Sequence, residues 1–260
     1  MSVRRITFLG LPLDVNISTS DIWQGVKSGE NTFATLMGPE AWTTQKAQPT
    51  FQHTLNKLSL VISSSLIVST LAHYMTKERI NALSFETPRL VRNFFAKVAE
   101  SKRPIAIVGG RPRDDEDALA MLQSRFKGLN VVATAHGYGE FAPKISVILE
   151  KKPEIILVAM KTPLQEEFLV ALKEAGFKGF ALGCGDFIEN FIVTKDYFNK
   201  STLLDRWNLL PLYKIYKSPG RALKYYVAQY KDFLSLVFQD ISGRVLSTAR
   251  SLRRRFTEAV

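Results

Sequence analysis

The sequence predicts an α/β fold: a mostly parallel sheet with helices on both faces, followed by a helical carboxyl-terminal appendage. Three observations carry this. Short β-branched apolar runs alternate with amphipathic stretches between residues 103 and 185. The runs begin at 103, 129, 153 and 178, about 25 residues apart, which is the size of one β-α unit. Near Asp196 the alternation stops, and apolar residues recur at helical spacing instead. A core over residues 1–196 and a basic helical appendage over 197–260 follow from that change.

Taken in order, MSVRRITFLGLPLDV reads as a first strand, because Pro12 and Asp14 cut its apolar run short of signal-peptide length. The stretch LSLVISSSLIVSTLA (58–72) carries no charge, but its serines and Thr70 make it a poor membrane span. Leu60, Val61 and Ile62 fit a strand ending in a serine turn. RPIAIVGG (103–110), LNVVATAHG (129–137), PEIILVAM (153–160) and KGFALGCG (178–185) read as buried strands, each ended by Gly or a polar turn. Between them DDEDALAMLQSRF, PKISVILEKK and PLQEEFLVALKEAG space apolar residues for one helical face.

After the Ser-Pro-Gly at 218–220, Leu223, Tyr226, Tyr230, Phe233 and Val237 share a helical face that suits packing on the core as well as contact with lipid. In the last twenty residues Ile241, Val245, Leu252 and Phe256 fall within one arc of the helical wheel, and Arg244, Arg250, Arg253, Arg254 and Arg255 occupy the rest. This is a basic amphipathic helix suited to an anionic membrane surface.

Composition narrows the function classes. A hydrophobic content of 46% over 260 residues is too high for a disordered chain. The single cysteine, Cys184, excludes an internal disulfide framework and suits a reducing compartment. From Ser201 onward eleven Lys/Arg stand against four Asp/Glu, so +7 of the formal +11 sits in the last 60 residues. No RNA-binding or zinc motif accompanies that charge, so anionic lipid is the expected partner rather than nucleic acid.

In a parallel sheet, sites form at the carboxyl ends of the strands. The residues there are Gly109, Gly110, Arg111 and Arg113; His136, Gly137 and Tyr138; Met160 to Glu166; and Gly183 to Asp186. A Gly-Gly turn with two arginines has the tools to hold a diphosphate, although such a turn is often only a turn. The acidic run after it reads as a complement to a helix dipole rather than as a metal site. Pro163 suits a first helical turn, which puts Gln165 and Glu166 at the sheet's edge, where a Gln can both donate to and accept from a sugar or base.

The order of these segments resembles the WecG/TagA/CpsF family of glycosyltransferases. The resemblance runs from about Ile6 to Tyr230 and rests on the Gly109-Gly110 strand end, on Phe126, Gly128 and Leu129, and on Ala133 to Tyr138. It continues through Val158 to Glu166, GCGDF at 183–187 and NLLPLYKIYKSPGRALKYY at 208–226. It implies a Rossmann-like, peripheral membrane enzyme on the cytoplasmic face. Such an enzyme would transfer N-acetylmannosamine or a related hexose from UDP to an undecaprenyl-diphosphate-linked acceptor in surface-polysaccharide or cell-wall synthesis. The implied reaction is inverting, with no cofactor and no metal, and dimers or trimers are allowed. By position, the resemblance makes Gln165 a catalytic-site residue, and Gly109, Gly110, Tyr138, Met160, Gln165, Glu166, Gly183 and Asp186 the nucleotide-sugar pocket. Arg206, Lys214, Arg221 and Lys224 become the cations that meet diphosphate or lipid headgroups.

Two positions depart from the family pattern. The family's proposed general base is an Asp where this chain has Ser64, and a serine hydroxyl is not a base at neutral pH. The family's Thr-x-Asn pair, expected near Leu36 to Gly38, is replaced by TLMGPEAW. Three accounts stay open: a different base among Glu40, Glu86 and His73; a catalytically inactive nucleotide-sugar- or lipid-binding partner of an assembly complex; or a different donor and acceptor.

Overall fold

The computed structural model describes residues 3–85, 87–193, 216 and 219–258. The first strand of the sequence reading is two strands. β1 (Arg5–Phe8) and β2 (Leu11–Asp14) pair antiparallel as a hairpin separate from the main sheet. The turn between them holds Leu9 at φ 46° and Gly10 at φ 81°, the double left-handed geometry that two-residue hairpins need. Asp14 ties the hairpin down: its carboxylate accepts from Arg5 Nε at 2.7 Å and from the Val61 amide at 2.6 Å.

After α1 (Thr19–Ser28) comes the main sheet, built of β3 (Thr32–Met37), β4 (Leu60–Ser63), β5 (Ile105–Gly109), β6 (Val131–Ala135), β7 (Ile155–Ala159) and β8 (Phe180–Gly183). All its pairings are parallel, in the order β4-β3-β8-β7-β5-β6, a Rossmann-like arrangement. The strand read at Leu60 to Ile62 and the four later ones stand where the sequence predicts them; β3 is an addition. Of the central strands, β5 and β7 turn alternate residues into opposite cores. Ala106, Val108, Ile156 and Val158 face one, while Ile105, Ile107, Ile155 and Leu157 face the other. Burial on both faces is why these strands read as unbroken apolar runs.

One core packs α2 (Glu40–Ala47), α3 (Phe51–Asn56), α4 (Leu66–Thr76), α7 (Phe141–Glu150) and α8 (Leu164–Glu174) on the sheet. The other packs α1, α5 (Pro88–Ser101), α6 (Asp114–Arg125) and α9 (Phe187–Val193). The chain therefore leaves β8 toward one face, while its neighbours β3 and β7 send theirs to the other. That reversal opens a crevice around the end of β8.

The carboxyl-terminal helix, α10, runs from Pro219 to Glu258, 40 residues and about 60 Å at 1.5 Å per residue. Of the two readings of residues 219–238, packing is what its inner face does. Phe233 is fully buried, 4.8 Å between ring centroids from Trp42 of α2 and 6.3 Å from Phe8 of the hairpin, and Val237 is buried beside it. Burying one such ring is worth about 2 kcal/mol. Among the described residues no helix is long and apolar enough to cross a membrane.

Candidate active site

The crevice around β8 holds a cavity of about 400 Å³, within the range of small-molecule sites. The ends of four strands and one helix supply its walls: Gly38 and Glu40 after β3, Ser64 and Ser65 after β4, Lys161 and Thr162 after β7, Gly185 and Asp186 after β8, and Tyr226, Gln229 and Tyr230 of α10.

Local sequence fixes each wall. Glu40 opens α2, and its carboxylate folds back over Gly38. A Cβ built on Gly38 would lie 2.3 and 2.5 Å from the two carboxylate oxygens, so only glycine leaves room for this placement. Gln229 Nε2 donates to Glu40 Oε2 at 3.3 Å. Burial pushes the Glu40 carboxyl above the usual carboxylate range, and the nearby charge of Asp186 adds to that rise.

The three serines after β4 divide their work. Ser63 Oγ donates to the Ser65 carbonyl and accepts from the Ser65 amide, shaping the turn. Ser65 caps α4 by accepting from the Val68 amide at 3.3 Å, and its hydroxyl lies 2.8 Å from the Tyr230 hydroxyl. Ser64 donates its amide to the Met37 carbonyl at 2.8 Å, and the residue lines the cavity. Opposite, Lys161 Nζ stands 3.8 Å from Asp186 Oδ2, so a cation and a carboxylate share the rim.

Gln165 and Glu166 lie in the first turn of α8, as the sequence predicts, but beneath the cavity rather than on its wall. They are 1% and 0% exposed. Gln165 Oε1 accepts from the Gly185 amide at 2.9 Å, which holds the loop that carries Asp186. Its Nε2 donates to Glu166 Oε1 at 2.7 Å, and Thr35 of β3 donates to the same oxygen at 2.7 Å. The second oxygen, Glu166 Oε2, is buried with no partner among the described residues. Burial drives this carboxyl up to about 7, against the hydrogen bonds of Thr35 and Gln165. Gly183 completes the packing, because a Cβ there would stand 2.9 Å from Gln165 Oε1.

The other expected pocket residues form a separate group at the ends of β5, β6 and β7. Gly109 adopts φ 144°, and a Cβ on it would fall 2.0 Å from the Ala159 carbonyl oxygen. Gly110 accepts from the Gly137 amide at 2.9 Å; Met160 is buried against Gly137; Tyr138 is exposed. None of the four residues Gly109, Gly110, Tyr138 and Met160 lines the cavity. Asp114, first of the acidic run, accepts from the Arg111 amide at 2.9 Å, a helix-start role. Of the expected headgroup cations, Arg206 and Lys214 lie outside the described residues, and Arg221 and Lys224 fall in the first turns of α10, with Lys224 exposed. Of the three alternative bases, Glu86 lies outside the described residues, and His73 sits exposed on α4 with Nδ1 2.8 Å from the Glu78 carbonyl, away from the cavity. Glu40 lines it.

Residues 6–245 match the Glycosyl transferase WecG/TagA/CpsF family. The chain belongs to this family. Among curated proteins it is similar to a UDP-Gal:alpha-D-GlcNAc-diphosphoundecaprenol beta-1,4-galactosyltransferase of Shigella boydii, with 21% identity over 164 residues that cover 62% of this chain and 68% of the relative. In this family member, sequence reasoning named Ser64 and Asp186 and gave Glu40 as one of three alternative bases, but did not name Gln229. The signal for Glu40's pose was the glycine two residues before it. Gln229 carried none, because a lone Gln on a packed helix looks like surface.

Proposed function

We propose that the protein transfers a hexose, N-acetylmannosamine-like or another derivative, from a UDP-sugar to a polyprenyl-diphosphate-linked acceptor with inversion at the anomeric carbon. The observation that carries this reading is the cavity at the reversal point of a family glycosyltransferase sheet. Its rim offers Lys161 to a leaving diphosphate and carboxylates to an incoming hydroxyl. The relative's donor and acceptor are of the same kinds. Residues 1–196 act as the transferase core and 197–260 as the appendage that closes the cavity and meets the membrane.

The exposed residues of α10 support membrane contact. Val227, Leu234, Phe238 and Ile241 stand out into solvent, Phe238 at 73% exposure. At 100° per residue they fall in one narrow arc, the same arc as Val245, Leu252 and Phe256. An apolar stripe along one side of the helix, with arginines beside its end, suits a helix lying in an anionic interface on the cytoplasmic face of the cell membrane. Leu66, at the cavity wall, is also exposed.

The test is release of UDP from a panel of UDP-hexoses, with and without a synthetic N-acetylglucosaminyl diphosphoundecaprenol acceptor. Acceptor-dependent release supports the reading. The second reading, an inactive binding partner, rests on the serine at position 64; it holds if no donor is consumed while UDP still raises the melting temperature.

A further inference from the structure

Transfer of a sugar to a hydroxyl requires a group that takes the hydroxyl's proton as the new bond forms. The described cavity walls hold few titratable side chains. Lys161 is a cation that faces Asp186. Cys184 is buried, and burial pushes its thiol up, so it stays protonated. Tyr226 and Tyr230 offer phenol hydroxyls, and that of Tyr230 is already paired with the Ser65 hydroxyl. Asp186 and Glu40 remain. Asp186 stands on the rim, opposed by the lysine and partly exposed. Glu40 sits deeper, its pose fixed by the absent Cβ of Gly38 below and by the Gln229 amide above.

Strand pairing gives this placement its meaning. β3 and β4 are neighbours, with Met37 opposite Ser63 and the Ser64 amide bonded to the Met37 carbonyl. The carboxylate of Glu40 lies over Gly38, the residue next to Met37. Glu40 and Ser64 thus line the same cavity from the ends of adjacent strands.

Resting on the transferase reading above, we infer that Glu40 is the catalytic base and that Gln229 of α10 is the positioning residue that orients its carboxylate. The acceptor hydroxyl gives its proton to Glu40 as its oxygen bonds to the anomeric carbon. The bond from that carbon to the UDP phosphate oxygen breaks, and its electron pair leaves with UDP. Protonated Glu40 then returns the proton to water. Because Gln229 belongs to α10, the base is set only while that helix is docked.

Raised proton affinity suits the role: burial and the nearby charge of Asp186 make Glu40 bind a proton more readily than a free carboxylate. The groups that face it are Asp186 with Lys161 across the cavity, Glu166 beneath, and Gln229, Tyr226 and Tyr230 on α10.

The experiment measures acceptor-dependent transfer against pH for the full chain and for Glu40→Gln, Asp186→Asn, Gln229→Ala and Glu40→Gln combined with Ser64→Asp. Glu40→Gln is expected to lower kcat by about 100-fold or more and to remove the acid limb of the pH profile, with the UDP-induced thermal shift unchanged. Ser64→Asp in that background restores part of the rate, which separates lost chemistry from lost folding. Gln229→Ala lowers kcat and moves the acid limb while leaving the donor KM in place. Transfer by Glu40→Gln within about threefold of the parent rate, or an acid limb abolished only by Asp186→Asn, overturns the assignment while the transferase reading stands. Absence of transfer by the unsubstituted protein with every donor overturns both.

Discussion

The hydroxyl of Thr35 lies 2.7 Å from Oε1 of Glu166, which joins the end of β3 to the first turn of α8 across 131 residues of chain. With Gln165 Nε2 on the same oxygen, this contact makes a buried floor on which the cavity walls stand.

That floor gives a pH signature. Glu166 titrates near 7 when folded and near 4.5 as a free side chain, so the folded state binds more protons between those values and stability falls as pH rises through that window. The loss is on the order of 3 kcal/mol, fully present above about pH 8. Urea unfolding at pH 5 and pH 8 should show this decline in the parent protein and a much flatter profile in Glu166→Gln. Equal slopes would remove Glu166 as its source.

Gly38→Ala tests the pose of Glu40 without touching its chemistry. The added methyl claims the space of the carboxylate, which swings away because it ends a flexible side chain. Transfer should fall by about 100-fold, as for loss of the base, while thermal stability changes by about 1 kcal/mol or less. A large stability loss with normal specific activity in the folded fraction would contradict the proposed packing.

Gly109→Ala should behave in the opposite way. Its Cβ would meet the backbone carbonyl of Ala159, and its φ of 144° suits glycine alone. Neither strain can relax, so a destabilisation of about 3 kcal/mol or more is expected, read as a lowered denaturation midpoint or loss of soluble protein.

The outer face of α10 can be changed without disturbing the core, because Leu234 and Phe238 are 47% and 73% exposed. Leu234→Asp and Phe238→Asp should each weaken flotation with anionic vesicles by about tenfold or more, given about 2 kcal/mol per apolar side chain buried. Deleting residues 241–260 should release the protein as well. Undiminished flotation in all three would show that α10 is not the anchor.

Much of this was legible in the sequence because parallel strands buried on both faces have a loud signature. Runs such as Ile155 to Ala159 and the Gly-rich ends that follow cannot be mistaken for surface. The hairpin was not legible, since its turn is a Leu-Gly pair rather than the usual Asn-Gly, and two four-residue strands look like one. β3 escaped because TFATLM is short and followed by a Gly-Pro pair that obscures the helix starting at Glu40. Gln165 and Glu166 were found in sequence, yet which side of the backbone they serve depends on Thr35 and Gly185, residues 130 and 20 positions away. Gln229 reaches Glu40 from 189 residues along the chain, a relation that no local pattern encodes.

The angular layout of α10 has a consequence for substrate size. Tyr226, Gln229, Tyr230 and Phe233 point to the cavity and core, and the exposed Val227, Leu234, Phe238 and Ile241 lie on average about a quarter of a turn around the same rod. On the proposed membrane reading, a helix resting on lipid by that stripe would hold the cavity at headgroup height, where a hydroxyl on the first sugar above a lipid diphosphate is within reach and the far end of a longer glycan stands too high.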